Sequence, residues 1–167
     1  VIRGLDCYFG DMSLAVCPGS FDPIHNGHVE IITRATKIFS GGVIVAVSNN
    51  PAKKYRFQLE ERLDMVTEVF GWLDGVVVQP MSDGLLADFV RSQGATAIIK
   101  GLRDSKDFEY EAPMATMNRN ISGAETVFLA ADPKNGHLSS SLIKEVASFG
   151  GDIRGFVPRS VARRLVP

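Results

Sequence analysis

The chain has 167 residues, 45% of them apolar, and carries 18 Lys and Arg against 19 Asp and Glu, a net charge of −1. That length suits one full-sized core and leaves little room for a second, and the charge balance excludes the broad basic surface that coats nucleic acid. The sequence also lacks an apolar run near the roughly eighteen residues of a membrane helix, a secretory-signal pattern at its N-terminus, and the cysteine density of a disulfide scaffold, having only Cys7 and Cys17; the expected setting is cytoplasmic, with no membrane or nucleic-acid partner.

Residues 1–11, VIRGLDCYFGD, follow neither a helical nor a strand period and are expected to be a tail or expression remnant, leaving residues 12–167 as one domain. The first strand is predicted over Ser13–Cys17, and the segment PGSFDPIHNGH follows it. Gly19 permits close approach of backbone to a ligand, Ser20 offers a hydroxyl and an N–H, and Pro23 and Asn26 shape a turn. Gly27 and His28 then enter a helix whose free N–H groups and dipole favour an anion. His25 and His28 stand three apart and can share one face of its first turn.

That helix carries Val29, Ile32, Ala35 and Phe39 on one face and stops at Gly41–Gly42. A second strand, Val43–Ser48, leads into SNNPAKKYRF, where Lys53 and Lys54 can reach across a cleft. Leu59, Leu63, Val66 and Phe70 mark the next helix, behind an acidic first turn. A strand over Gly75–Gln79 and a helix through LLADFVRSQ, ending at Gly94, continue the alternation. The fourth strand, Thr96–Lys100, opens into KGLR, where the guanidinium of Arg103 offers a planar donor fork suited to phosphate.

A further helix is expected over roughly Phe108–Ile121, with its regular part beginning or kinking near Tyr110 because Pro113 is tolerated only in a first turn. The fifth strand, Thr126–Ala131, precedes DPKNGHLSSS, and three consecutive serines then open the helix SLIKEVASF; SVARRLV closes the chain. Hydroxyls and N–H groups together at a helix start suit a polyphosphate, although one serine could simply cap it.

Strands alternating with helices in this way predict an α/β fold, a Rossmann-like doubly wound sheet of five parallel strands with helices on both faces. Ligands of such sheets bind beyond the carboxyl ends of the strands, where strand order reverses. This nearly neutral chain concentrates cations, hydroxyls and helix starts after its strands, so that edge is expected to receive a polyanion.

GSFDPIHNGH resembles the T/H-x-G-H signature of the nucleotidyltransferase superfamily, and SSSLIKE resembles its second signature, I-S-S-S-x-x-K/R. KGLRDSKDFEYE with MNRN is narrower and resembles the bacterial phosphopantetheine adenylyltransferases, in register from Leu14 to about Leu165. The resemblance implies adenylyl transfer from ATP to 4′-phosphopantetheine in coenzyme A synthesis, Mg2+ held mainly through ATP phosphates with no protein metal ligands, a homohexamer, and coenzyme A as feedback inhibitor. By the same resemblance Ser20, Phe21, His28, Gly101, Leu102, Arg103, Glu111 and the segment Asn135, Gly136, His137, Leu138, Ser139, Ser140 and Ser141 contact ATP. Ser20, Lys53, Leu86, Lys100 and Asn118 contact phosphopantetheine, and His28, Lys53, Arg103 and Ser20 form the catalytic set.

The chain departs from the family pattern at several points. Ser20 replaces a common threonine and keeps the hydroxyl. One extra residue stands near Gly84, just before Leu86. KNGH replaces the more usual aromatic run before the serines. Pro113 is a further departure. Other superfamily members, such as nicotinate-mononucleotide adenylyltransferases and cytidylyltransferases, share the two signatures without KGLR, FEYE and MNRN, and a non-catalytic nucleotide-binding module is the alternative of a different class.

Overall fold

The computed structural model describes residues 13–81 and 84–165; the expected tail at residues 1–11 lies outside them. Five strands, β1 (Ala15–Gly19), β2 (Val43–Ser48), β3 (Val76–Met81), β4 (Ala97–Leu102) and β5 (Glu125–Ala130), form one sheet in the order β3-β2-β1-β4-β5. Every neighbouring pair is parallel. The helices between and after them are α1 (Asn26–Ala35), α2 (Leu59–Phe70), α3 (Leu86–Ser92), α4 (Ser105–Ser122), α5 (Ser140–Ser148) and α6 (Arg159–Leu165), with a 3-10 turn at Pro133–Asn135 that the sequence did not announce.

The period-2 alternation of strand side chains divides the interior into two cores. Ala15, Cys17, Val43, Val45, Val47, Ala97 and Ile99 face the larger one, with Ile32 of α1, Val66 of α2, Ile143 of α5 and Val161 of α6 packed against them. Val16, Ile44, Ala46 and Ile98 face the smaller one, where Val90 of α3 and Ala124 meet them. The sheet is therefore doubly wound, as the strand-helix alternation predicts. Among the described residues no helix is long and apolar enough to cross a membrane.

The register explains where the sheet opens. β1 pairs with β2 along its full length, from Ala15 opposite Val43 to Gly19 opposite Val47. It pairs with β4 only at Ala15–Ala97 and Val16–Ile98. Beyond Val16 the two strands part, and Pro18, which has no N–H to give a ladder, sits where no bond to β4 is needed. This parting falls between β1 and β4, where strand order reverses, so a crevice forms at the switch point.

One expectation fails here. α4 begins at Ser105, not near Tyr110, and Pro113 lies inside it. The Asp104 side chain caps its start by accepting from the N–H of Asp107 at 3.0 Å, and the end is closed by Gly123 in the left-handed region, φ 79°. Pro113 and Glu109, whose carbonyl loses its usual donor, are both exposed, so water can take the freed bond.

Candidate active site

The crevice is a cavity of about 680 Å³ lined from β1, α1, the loop after β2, β4, α4 and the start of α5. Ser20, Phe21, His28, Lys53, Lys100, Gly101, Arg103, Glu111, Asn135, Leu138, Ser139, Ser140 and Ser141, thirteen of the residues expected from the sequence, line it together. Five of its lining side chains are cationic (Lys53, Lys54, Lys100, Arg103, Lys144) and three are carboxylates (Asp22, Asp107, Glu111), an excess of two positive charges in a chain of net charge −1.

The first wall is the loop from Gly19 to His28. A Cβ on Gly19 would lie 2.8 Å from the Phe21 ring, so the glycine admits that ring as well as any ligand. Phe21 takes φ 47°, a left-handed conformation that a non-glycine residue adopts at a cost. The loop is pinned to the C-terminal segment by Asn26, whose N–H and side-chain amide donate to the carbonyls of Phe156 (2.9 Å) and Gly155 (3.0 Å).

At the entry to α1 the two imidazoles stack, ring centroids 3.7 Å apart, and the Phe21 ring meets His28 edge-on at 5.1 Å. The backbone N–H of His25 donates to Nδ1 of His28 at 3.2 Å. Burial, then the neighbouring His25 and Arg103, hold the pKa of His28 well below 6.5. Burial and Arg103 lower that of His25 to about 4. Both rings are neutral at pH 7, and His28 has its Nε2–H to donate.

Across the cavity, the Lys100 ammonium contacts the Glu111 carboxylate at 3.1 Å. The Arg103 fork, expected to face phosphate, closes on Asp107 through Nε and Nη2, both at 2.9 Å, while Nη1 donates to the Leu138 carbonyl at 3.1 Å. The Asp107 hydrogen bonds outweigh desolvation and raise the pKa of Arg103 further. The three serines divide their work. The Ser139 hydroxyl accepts from the N–H of Leu142 as the α5 cap (3.2 Å), and the Ser140 hydroxyl donates to the Pro23 carbonyl (2.8 Å). Ser141 is exposed at the cavity.

Asp22 joins three walls. Its carboxylate accepts from the N–H groups of Arg56 (3.0 Å) and Phe57 (3.0 Å) and from the Lys144 ammonium (2.6 Å). Desolvation opposes its ionisation, but those donors prevail and its pKa lies below 3.8. The sequence reading left out Asp22, His25 and Lys144 as site residues. Lys144 was detectable, because it supplies the Lys of the signature I-S-S-S-x-x-K/R and stands four residues after Ser140, on the same helical face. Cys17 also lines the cavity, but burial pushes its thiol up to about 12, against a small pull from Lys100.

Five expected positions stand outside the lining. Leu86 opens α3 and packs against the smaller core, and Asn118 is buried on α4. Leu102 ends β4, and Gly136 follows the 3-10 turn. His137 meets the Phe156 ring edge-on at 5.7 Å in an adjoining cavity that shares Asn135 and Leu138 with the main one.

A family model described as Cytidylyltransferase-like matches residues 16–146. Among curated relatives, the Phosphopantetheine adenylyltransferase of Pseudarthrobacter chlorophenolicus is 61% identical over 155 residues, covering 93% of each chain. That of Arthrobacter sp. is 61% identical over 155 residues, 93% of this chain and 97% of the relative. That of Micrococcus luteus is 58% identical over 154 residues, 92% of this chain and 98% of the relative.

Proposed function

The chain belongs to the phosphopantetheine adenylyltransferase family, nucleotidyltransferases with a cytidylyltransferase-like domain, and from that premise we propose how its own residues carry the reaction. An oxygen of the 4′-phosphopantetheine phosphate attacks the α-phosphorus of ATP. One P–O bond forms there, the bond from the α-phosphorus to the bridging oxygen of the β-phosphate breaks, and pyrophosphate leaves with that electron pair; dephospho-coenzyme A remains. The nucleophile is already an anion, so no strong general base and no covalent enzyme intermediate are required.

The task is to hold two anions in line and to stabilise charge on the α-phosphate and the leaving group. His28, neutral with Nε2–H free, donates to the α-phosphate. Lys53 and Lys100 neutralise the incoming phosphate and reduce repulsion between the reactants. The first turn of α5, with Ser141 and its N–H groups, takes the β- and γ-phosphates, and Arg103 adds charge while its fork stays on Asp107. Each carboxylate lining the cavity is already paired, Asp22 with Lys144, Asp107 with Arg103 and Glu111 with Lys100. Mg2+ would thus ride on nucleotide oxygens, where it supplies charge neutralisation, and not on a protein carboxylate cage.

The convergence of His28, Lys53, Lys100 and the α5 start around one cavity carries this reading. The same reading puts the enzyme in the cytoplasm, with its ATP supply, and lets coenzyme A, which shares the pantetheine arm and an adenylyl group, compete for the cavity as feedback inhibitor. Self-association is supported by α4, which exposes Tyr110, Met114, Met117 and Ile121 along one face; the count of six is what the family resemblance implies. A pyrophosphate-release assay tests the activity. Release is expected with ATP and 4′-phosphopantetheine together and not with nicotinate mononucleotide as acceptor; the reverse preference, or no release, overturns the proposal.

A further inference from the structure

Arg62 of α2 is fully buried, 0% exposed, and its four hydrogen bonds all end on neutral oxygens. Nε donates to the Phe57 carbonyl (3.2 Å), Nη1 to the carbonyls of Ser48 (2.7 Å) and Ser20 (2.8 Å), and Nη2 to Oδ1 of Asn49 (2.7 Å). Its guanidinium carbon also lies 4.0 Å from the centre of the Tyr55 ring. Burying a cation without a carboxylate is costly, and for stability alone an apolar side chain of that volume serves as well or better. What a guanidinium adds is a rigid fork that fixes several oxygens at once, and a permanent positive charge.

The contacts have a common address. Ser48, Asn49, Tyr55 and Phe57 bracket the loop that carries Lys53 and Lys54, and three of the four hydrogen bonds go to it. Between Asn49 and Tyr55 the loop has, among the described residues, only local bonds, such as Asn50 N–H to the Tyr55 hydroxyl (2.8 Å) and Ala52 N–H to Oδ1 of Asn50 (2.9 Å). Beyond Tyr55 the N–H groups of Arg56 and Phe57 are held by Asp22. Ser20 and Tyr55, both touched by Arg62, line the cavity beside Lys53.

We propose that Arg62 is a positioning residue for the acceptor phosphate: it clamps both ends of the Lys53 loop to the carboxyl ends of β1 and β2 and so sets where the loop cations stand. This rests on the assignment of Lys53 to the acceptor. The test is titration calorimetry of 4′-phosphopantetheine and, separately, ATP with the wild type, Arg62→Met, Arg62→Lys and Asn49→Ala, alongside pyrophosphate release. Arg62→Met is expected to weaken 4′-phosphopantetheine binding about tenfold or more while ATP affinity stays within about twofold. Arg62→Lys, which keeps charge without the fork, should fall between it and the wild type, and Asn49→Ala, an exposed substitution, should weaken the acceptor alone by about threefold.

Equal loss for both ligands, or loss for neither, overturns the proposal. If Arg62→Met does not fold, the same split read on Asn49→Ala decides. A wild type that binds 4′-phosphopantetheine without releasing pyrophosphate overturns the proposed reaction alone, since the binding split still stands. A wild type with no affinity for 4′-phosphopantetheine overturns both.

Discussion

The His25 N–H points at Nδ1 of His28, 3.2 Å away, and this one backbone bond fixes which end of the His28 imidazole carries the proton. Nδ1 must accept, so Nε2 must donate, and a low pKa keeps the ring in that form. His28→Ala removes the donor and leaves the anion site at α5 intact. Turnover is expected to fall by about 10²–10³, with ATP affinity changed no more than a few-fold. In NMR the His28 ring should show no protonation as the pH drops through 6.5. A midpoint near 6.5, or turnover within a few-fold of wild type, would remove His28 from its role.

The partner ring predicts the pH dependence of stability. His25 titrates at about 4 when folded, lowered by burial and then by Arg103, against 6.5 when unfolded. Between those two values the unfolded chain binds a proton that the folded chain refuses. Stability is therefore complete above pH 6.5, falls as the pH drops, and stops falling from this source below about 4, a loss of order ~3 kcal/mol. His28, whose pKa burial, His25 and Arg103 hold well below 6.5, adds a loss that begins over the same fall. Asp22 and Asp107, whose pKa values are lowered, add theirs only on approaching and passing below 3.8. Urea unfolding from pH 7 to 4 should show the slope in the wild type and a flatter one in His25→Gln; equal slopes would show that His25 is not the group responsible.

Much of this architecture is legible in the chain because its signals are local. β2 lies over Val43–Ser48 as its unbroken apolar run indicates, and the segments after β1, β2, β4 and β5 do meet at one edge. β1 runs to Gly19, two residues past the expected end, because pairing with β2 carries it through a proline that by composition reads as a turn. The paired state of Arg103 was missed although Asp107 stands four residues after it, because the helix that brings them together was expected to begin only at about Phe108 and in fact begins at Ser105. Arg62 was not legible, since its helical position reads as a charged surface residue until the loops close over it. Leu86 and Asn118 came from resemblance alone, and both lie outside the lining of the cavity.

The apolar face of α4 carries the assembly prediction. Met117 is 57% exposed, and Tyr110, Met114 and Ile121 recur beside it at helical spacing. An apolar stripe this long on an eighteen-residue helix marks an interface more often than a solvated surface. Light scattering should give a hexamer for the wild type and a smaller species for Met117→Glu, because a carboxylate would have to be buried unpaired. A monomeric wild type, or a hexamer indifferent to the substitution, would contradict this assignment.

Pro113 allows a measurement of what α4 tolerates. A proline inside a helix removes one N–H, crowds the carbonyl four residues earlier, and typically costs about 3 kcal/mol against alanine. Here the helix persists because its ends are well held, by Asp104 and the Arg103–Asp107 pair at one and by Gly123 at the other, whose N–H reaches the Arg119 carbonyl at 2.8 Å. Pro113→Ala restores the bond to Glu109 but frees the unfolded backbone, which returns about 0.4–1 kcal/mol. The substitution should therefore stabilise the fold by about 2 kcal/mol. The comparison belongs in the Met117→Glu background, where the proposed subunit contacts would not mask it, with urea midpoints as the readout. Turnover should not change, because Pro113 is absent from the cavity lining. A lower midpoint for Pro113→Ala would mean that α4 is bent to suit the proline, and that its capped ends do not alone account for its persistence.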